Sequence, residues 1–143
     1  MIREGVRLFD RLVVAVGVNP DKKSTFPVED RIAMLREATR SFKTVSVTSF
    51  SNHYLIHYAQ SLRATHILRG IRSESDYEYE RTMRNINGDL YGDICTLFLM
   101  PPRAIADVSS SMVRGLIGPA GWKKVVRNYV PAAVYKRLLN RFP

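Results

Sequence analysis

One cysteine, Cys95, stands in a chain of 143 residues. A lone thiol excludes any internal disulfide, so the core must hold itself together by packing. That agrees with a reducing compartment, and cytoplasmic localisation is the expectation. No apolar run approaches the roughly 20 residues that cross a bilayer, so no membrane partner is expected. The amino terminus lacks a basic stretch followed by an apolar run and a small-residue cleavage site, so no signal peptide is expected either. There is no internal repeat, low-complexity tract or linker, and the length suits one domain, residues 1–143, around one core.

Acids are also scarce: 13 Asp and Glu against 22 Lys and Arg, a formal net charge of +9. Such a field attracts anions. Nucleic acid is the first class to test. But the positives are spread, with modest clusters at Lys22-Lys23, Arg69/Arg72 and residues 123–127, and no helix-turn-helix or aromatic RNA-binding motif accompanies them. No nucleic-acid partner is therefore expected. A small phosphorylated substrate satisfies the same charge.

What is present alternates between two periods. Residues 11–18, RLVVAVGV, form a β-branched run closed by Asn19-Pro20 and read as a buried strand. Residues 28–42 place Ile32, Leu35 and Ala38 on one helical face, with acids early and bases late, as the helix dipole favours. A strand at 44–48, a helix at 53–63, a strand at 65–68 and a helix from 75 to about 87, ended by Gly88, follow. Then come a strand at 94–100, stopped by Pro101-Pro102, a helix at 109–117, and carboxyl-terminal helices at 122–127 and 131–141. Residues 1–10 read as a helix already under way. Strand and helix in alternation imply right-handed crossovers, and so an α/β fold: a doubly wound parallel sheet with helices on both faces.

Ligands of open α/β sheets bind beyond the carboxyl ends of the strands. Three loops lie there: Asn19 to Lys23, Arg69-Gly70-Ile71-Arg72, and the loop into Ser109-Ser110-Ser111. Together they offer ammonium, guanidinium, hydroxyl and free backbone N–H groups, which is anion chemistry. Each also has a plain reading. Lys22 and Lys23 can be solvated, Arg69 and Arg72 can pair with Glu74 and Asp76, and the serines can simply cap a helix. Arginine directly at the end of a buried strand needs a partner, however. His53 and His57 are four apart without a third ligand at suitable spacing, so no metal site is assigned to protein residues. His66 and Cys95 read as strand residues, and Tyr77 and Tyr79 as packing residues.

The run ILRGIRSESDYEYE, with NPDKK before it and VSSSMVR after it, resembles phosphopantetheine adenylyltransferase, a family of the nucleotidyltransferase superfamily with a Rossmann-like fold. The resemblance runs through essentially the whole chain. It implies transfer of AMP from ATP to 4′-phosphopantetheine, giving dephospho-coenzyme A and pyrophosphate, the penultimate step of coenzyme A synthesis. It implies magnesium with the ATP, and a homo-oligomer, usually a hexamer. It assigns Lys22 and Arg69 to the 4′-phosphopantetheine phosphate and to charge stabilisation, with Leu55 lining that pocket. Gly70, Ile71 and Arg72 would line the ATP site, Glu80 would contact the nucleotide, and Val108, Ser109, Ser110 and Ser111 would hold its phosphates. The reaction would be an in-line attack of the acceptor phosphate on the α-phosphorus, without a covalent enzyme intermediate.

The chain departs from the family in three places. The family opens with a strand and a Gly-Thr/Ser-Phe-Asp-Pro…Gly-His motif whose histidine stabilises the transition state, and none of it occurs here. His53, His57 and His66 fall elsewhere. A segment of about twenty residues, judged from the family pattern, is the expected difference; the alternative is a catalytically impaired nucleotide-binding homologue, or a relative with another phosphorylated acceptor. Ile105-Ala106-Asp107 stands before the serines where the family has aromatic and small residues, which sets a carboxylate near ATP phosphates. SNHYLIHYA carries an extra residue and histidines in the pantetheine region.

Overall fold

The computed structural model describes residues 1–18 and 24–143. Lys22 therefore lies outside the described residues, with its neighbours from Asn19 to Lys23. The elements run α1 (Ile2–Leu8), β1 (Leu12–Val18), α2 (Val28–Thr39), β2 (Val45–Ser51), α3 (Leu55–Ser61), β3 (His66–Gly70), α4 (Glu74–Leu90) and β4 (Cys95–Leu99). A short 3-10 turn, Arg103–Ile105, leads to α5 (Ser110–Gly115), α6 (Trp122–Val126) and α7 (Ala132–Arg141).

The β-branched run at 12–18 pairs in parallel with β2, Leu12 opposite Val45 and Val18 opposite Ser51. β3 pairs in parallel with β4, His66 opposite Cys95 and Gly70 opposite Leu99. Each pair is joined by one helix, α2 or α4, as a parallel crossover requires. The expected α/β fold of parallel strands flanked by helices is present. Its ladders come as two halves: among the described residues β1–β2 and β3–β4 are separate two-stranded sheets.

The halves share their covering helices. A Cβ placed on Gly5 would stand 3.1 Å from a methyl of Leu12 and 3.1 Å from a methyl of Leu68. Glycine therefore lets α1 lie against both β1 and β3. Ile67, the neighbour of Leu68, packs instead with Ile56 and Ala59 of α3 and with Ile94. Successive strand side chains point to opposite faces, so α1 and α3 cover opposite faces of β3. Between β1 and β3 lies a cavity of about 590 Å³, lined by Leu12 to Ala15 on one side and Thr65 to Gly70 on the other.

A second cluster gathers Val113, Trp122, Val126 and Leu138, with Phe26 and Tyr135 packed against it. It ties α5, α6 and α7 to the loop before α2. α7 also packs on α2, where Arg137 Nε donates to Asp30 Oδ1 at 3.2 Å.

Several boundaries differ from the sequence reading: β2 runs on to Ser51 instead of ending at 48, α2 ends at Thr39 instead of 42, and α3 is shorter at both ends. α4 does not end before Gly88; it continues to Leu90, and Tyr91 N–H closes it on the Asn87 carbonyl at 2.9 Å. A glycine ends a helix by taking a left-handed conformation, and only Gly118 and Gly121 do so among the described glycines. β3 runs two residues past Leu68, because Arg69 and Gly70 still pair with Phe98 and Leu99. The basic loop thus begins inside the ladder.

Candidate functional site

Arg69 is still within the β3 ladder, one residue before its end, and its side chain is held at once. Its Nε donates to Glu80 Oε2 at 2.7 Å, and Nη2 donates to Glu80 Oε1. This is the two-bond fork that guanidinium and carboxylate favour, and the geometry is more specific than a lysine contact. The hydrogen bond to Glu80 raises the Arg69 pKa above its ordinary value; burial opposes the shift and the Glu80 charge adds to it. Arg69 is a fixed cation. Its side chain is 38% exposed against 12% for Glu80, so the arginine faces outward from its partner.

The next three residues are fixed by different means. Gly70 lies under Met1, whose Sδ would stand 3.3 Å from a Cβ at residue 70. Ile71 is buried and donates its N–H to the Leu99 carbonyl at 2.9 Å, which extends the β4 contact by one residue. Arg72 Nε donates to Asp76 Oδ2 at 2.9 Å and Nη2 to Asp76 Oδ1 at 3.3 Å, while its backbone N–H reaches the same carboxylate at 3.1 Å. Arg72 Nη1 also donates to the Val108 carbonyl at 3.4 Å. That contact joins the start of α4 to the residue before the serine run.

The hydroxyls are partly engaged. Ser73 Oγ accepts from Asp76 N–H at 3.2 Å and caps α4; Ser109 Oγ accepts from Met112 N–H at 3.1 Å and caps α5. Ser111 Oγ accepts from Arg114 Nη2 at 2.9 Å, and Ser110 is exposed. Leu55 opens α3, packs on the Ile56–Ile67 cluster and lines the same cavity as Arg69 and Gly70. The structure thus gathers Leu55, Arg69 and Gly70 around one cavity, and Arg72 with Val108 beside the serines. Glu80 sits with Arg69.

Some expectations need correction. Tyr77 and Tyr79 do not pack in a core: they are 45% and 61% exposed, and Tyr77 meets Phe98 edge-on with the Arg81 guanidinium over its ring. α4 buries little besides Asn87, so its aromatic residues ride on the outside. His66 is exposed against Phe9, and its Nδ1 meets Thr65 Oγ1 at 2.9 Å. Among the described residues no three His, Cys, Asp or Glu side chains gather where a metal ion could sit. Asp107 is exposed. Sequence reasoning missed the partner of Arg69. The signal was available: Asp76 and Glu80 are four apart, so they share one helical face and can meet two arginines arriving from one loop.

The Arg72 hydrogen bonds hold the Asp76 carboxyl below its ordinary value of 3.8. A depressed folded-state value means the pairing is complete above about pH 4 and is lost as pH falls through the lowered value. An NMR titration of the Asp76 side-chain carbon should give a midpoint below 3.8, and Arg72→Ala should move it only part of the way back, because the backbone N–H of residue 72 still donates to the carboxylate. A wild-type midpoint at or above 3.8 contradicts the pairing.

A sequence profile of the cytidylyltransferase-like family matches residues 1–116. A phosphopantetheine adenylyltransferase of Chromobacterium violaceum is 60% identical over 142 residues, 99% of this chain and 87% of that protein. One of Neisseria meningitidis serogroup C is 55% identical over 139 residues, 97% of this chain and 82% of its own length. One of Caldanaerobacter subterraneus subsp. tengcongensis is 36% identical over 142 residues. No helix among the described residues is long and apolar enough to cross a membrane.

Proposed function

Because the chain belongs to the phosphopantetheine adenylyltransferase family of cytidylyltransferase-like nucleotidyltransferases, we propose that it transfers AMP from ATP to 4′-phosphopantetheine, giving dephospho-coenzyme A and pyrophosphate. The observation that carries this reading is the 60% identity across nearly the whole chain, which includes the Arg-Gly-Ile-Arg loop and its flanks. The site geometry supports it. A fixed guanidinium borders a cavity with an apolar wall at Leu55, which suits a phosphate joined to a mostly uncharged arm.

In this reading Arg69, with Lys22, holds the acceptor phosphate. Gly70 and Ile71 bring backbone close to ATP, and Arg72 orients the strip between α4 and the serines. Val108, Ser109, Ser110 and Ser111 take the ATP phosphates. An acceptor phosphate oxygen attacks the α-phosphorus, the bond to the bridging oxygen breaks, and pyrophosphate leaves. Positioning and charge carry such a step. Magnesium would arrive on the ATP phosphates, as it does when few protein carboxylates serve it, and Asp107 is the exposed carboxylate nearest in sequence to the serine run. We place the enzyme in the cytoplasm as a homo-oligomer, a hexamer by family resemblance. Exposed apolar side chains such as Tyr79 and Met100 are consistent with subunit contacts.

Pyrophosphate release with magnesium and ATP tests the reading. Release is expected with 4′-phosphopantetheine and not with pantetheine, which lacks the phosphate that Arg69 would grip. Equal release with both would remove the acceptor assignment. ATP binding without release under any acceptor would favour a nucleotide-binding homologue.

A further inference from the structure

Arg72 and Asp76 are joined by more contacts than an ordinary surface ion pair. The Asp76 carboxylate takes the Arg72 backbone N–H at 3.1 Å, Nε at 2.9 Å and Nη2 at 3.3 Å. The backbone bond fixes where the side chain starts, and the fork fixes the plane of its guanidinium. From that plane Nη1 reaches the Val108 carbonyl at 3.4 Å. Val108 is anchored a second way, because its side chain packs on the cluster of Val113, Trp122, Val126 and Leu138. The residue after it is Ser109, which caps α5. Asp76 thus holds the arginine that ties the entry of α4 to the entry of α5. Of the five guanidinium N–H donors, Nε, one on Nη1 and one on Nη2 are used in this way, and the others remain for a ligand.

We infer that Asp76 is a positioning residue for the ATP phosphates: it acts through Arg72, setting the remaining Arg72 donors and the Val108–Ser111 segment at a fixed spacing before ATP arrives. The inference rests on the adenylyl-transfer reading, in which Arg72 and the serine run serve the nucleotide. A carboxylate beside a phosphate site repels the ligand by itself. Charge alone therefore predicts that removing the Asp76 charge tightens ATP binding. Preorganisation predicts the reverse, since a freed Arg72 must be ordered as ATP binds, and that ordering costs affinity. The sign of the effect separates the two. Asp76 also stands in the first turn of α4, where an acid favours the helix dipole. Glu74 shares that turn but takes no bond from Arg72 among the described residues, so it reports the dipole contribution alone.

The test uses Asp76→Asn, Arg72→Ala, the double variant and Glu74→Gln in the full chain. Asparagine keeps the shape and an oxygen for the Arg72 N–H but loses the charged fork. The Kd of ATP with magnesium, measured by titration calorimetry without an acceptor, should rise about 3- to 30-fold in Asp76→Asn, within the span of coupling in one ion-pair network. KM for ATP should rise alike, while KM for 4′-phosphopantetheine should stay within about twofold of wild type, because the acceptor does not meet this strap. Added to Arg72→Ala, Asp76→Asn should cause no further loss, because its effect passes through the missing arginine. Glu74→Gln should leave the Kd of ATP within about twofold of wild type. Tighter or unchanged ATP binding in Asp76→Asn would overturn the inference. So would losses that multiply in the double variant, an equal loss in Glu74→Gln, or an equal rise in both KM values. If Asp76→Asn fails to fold by thermal unfolding, Asp76→Glu replaces it: the charge stays but the fork moves by one methylene, and undiminished ATP binding then overturns the inference. Weakened ATP binding in Asp76→Asn, with no turnover of any acceptor by the wild type, upholds the role of Asp76 and fails the proposed reaction instead. A wild type that binds no ATP overturns both.

Discussion

Arg69→Ala should lower kcat/KM for adenylyl transfer by about 10²- to 10³-fold, the loss seen when one preorganised donor to developing charge is removed. The expectation comes from three features of one side chain. It stands at the end of a ladder, so its backbone is fixed by the pairing of Arg69 with Phe98. Its guanidinium is fixed again by Glu80. It still lines the cavity that Leu55 and Gly70 share. A group held at both ends and open in front has little to reorganise when charge develops. Arg69→Lys should recover only a small part of the activity, because an ammonium cannot span a carboxylate fork and a phosphate together. The alanine variant also leaves Glu80 without its partner in a site where its side chain is only 12% exposed. That should cost about 1–2 kcal/mol of stability, the lower part of the charged-group range, since the arginine itself is partly in water. Initial rates of pyrophosphate release and a urea melt separate the two effects. Turnover near the wild-type value in a folded Arg69→Ala protein rules out the role.

Trp122→Ala should destabilise the protein by about 3–5 kcal/mol, the usual range for emptying a buried aromatic site. Trp122 is 9% exposed and packs in one cluster with Val113, Val126 and Leu138. That loss is a fifth or more of the roughly 5–15 kcal/mol that holds a typical domain together. The cluster joins the three carboxyl-terminal helices, and Val108 and Met112 pack on it. Its loss should therefore reach the Ser109 cap as well as the fold. The chain has one tryptophan, so unfolding of the wild type can be followed by fluorescence and that of the variant by far-ultraviolet dichroism. Tyr129→Ala, at a 44% exposed site nearby, should stay within about 0.5 kcal/mol of wild type. Equal midpoints for wild type and Trp122→Ala would show that the cluster is dispensable.

The fold was legible where the local signal and the tertiary demand agree. LVVAVGV is β-branched and bounded by turn residues, and Ser73 and Ser109 stand at helix starts that their side chains do cap. The position of the basic loop at a strand end was also legible. Gly88 misled because glycine ends a helix only if the chain there turns left-handed, which nothing local compels. The tyrosines of α4 misled because alternation along a helix says nothing about which face meets the sheet. The contact of Arg72 with Val108 spans 36 residues and depends on where β4 returns the chain. The grip of Glu80 on Arg69 is nearer to hand, yet it too needs the angle between β3 and α4, which the sequence does not state.

The division of the sheet into halves has one more consequence. Leu12 N–H bonds to the Thr44 carbonyl on the β2 side, so by strand alternation the backbone groups of Val13 and Ala15 point the other way. The Thr65 carbonyl and Ile71 N–H both point to the β4 side, so those of His66, Leu68 and Gly70 also face the cavity. Two rows of main-chain donors and acceptors thus look at each other across about 590 Å³ without a ladder between them. Such rows recruit whatever extended backbone reaches them, and proteins ordinarily blunt or cover them. Here α1 and α3 cover the two faces, and an extended segment laid between the rows would join the two halves into one sheet.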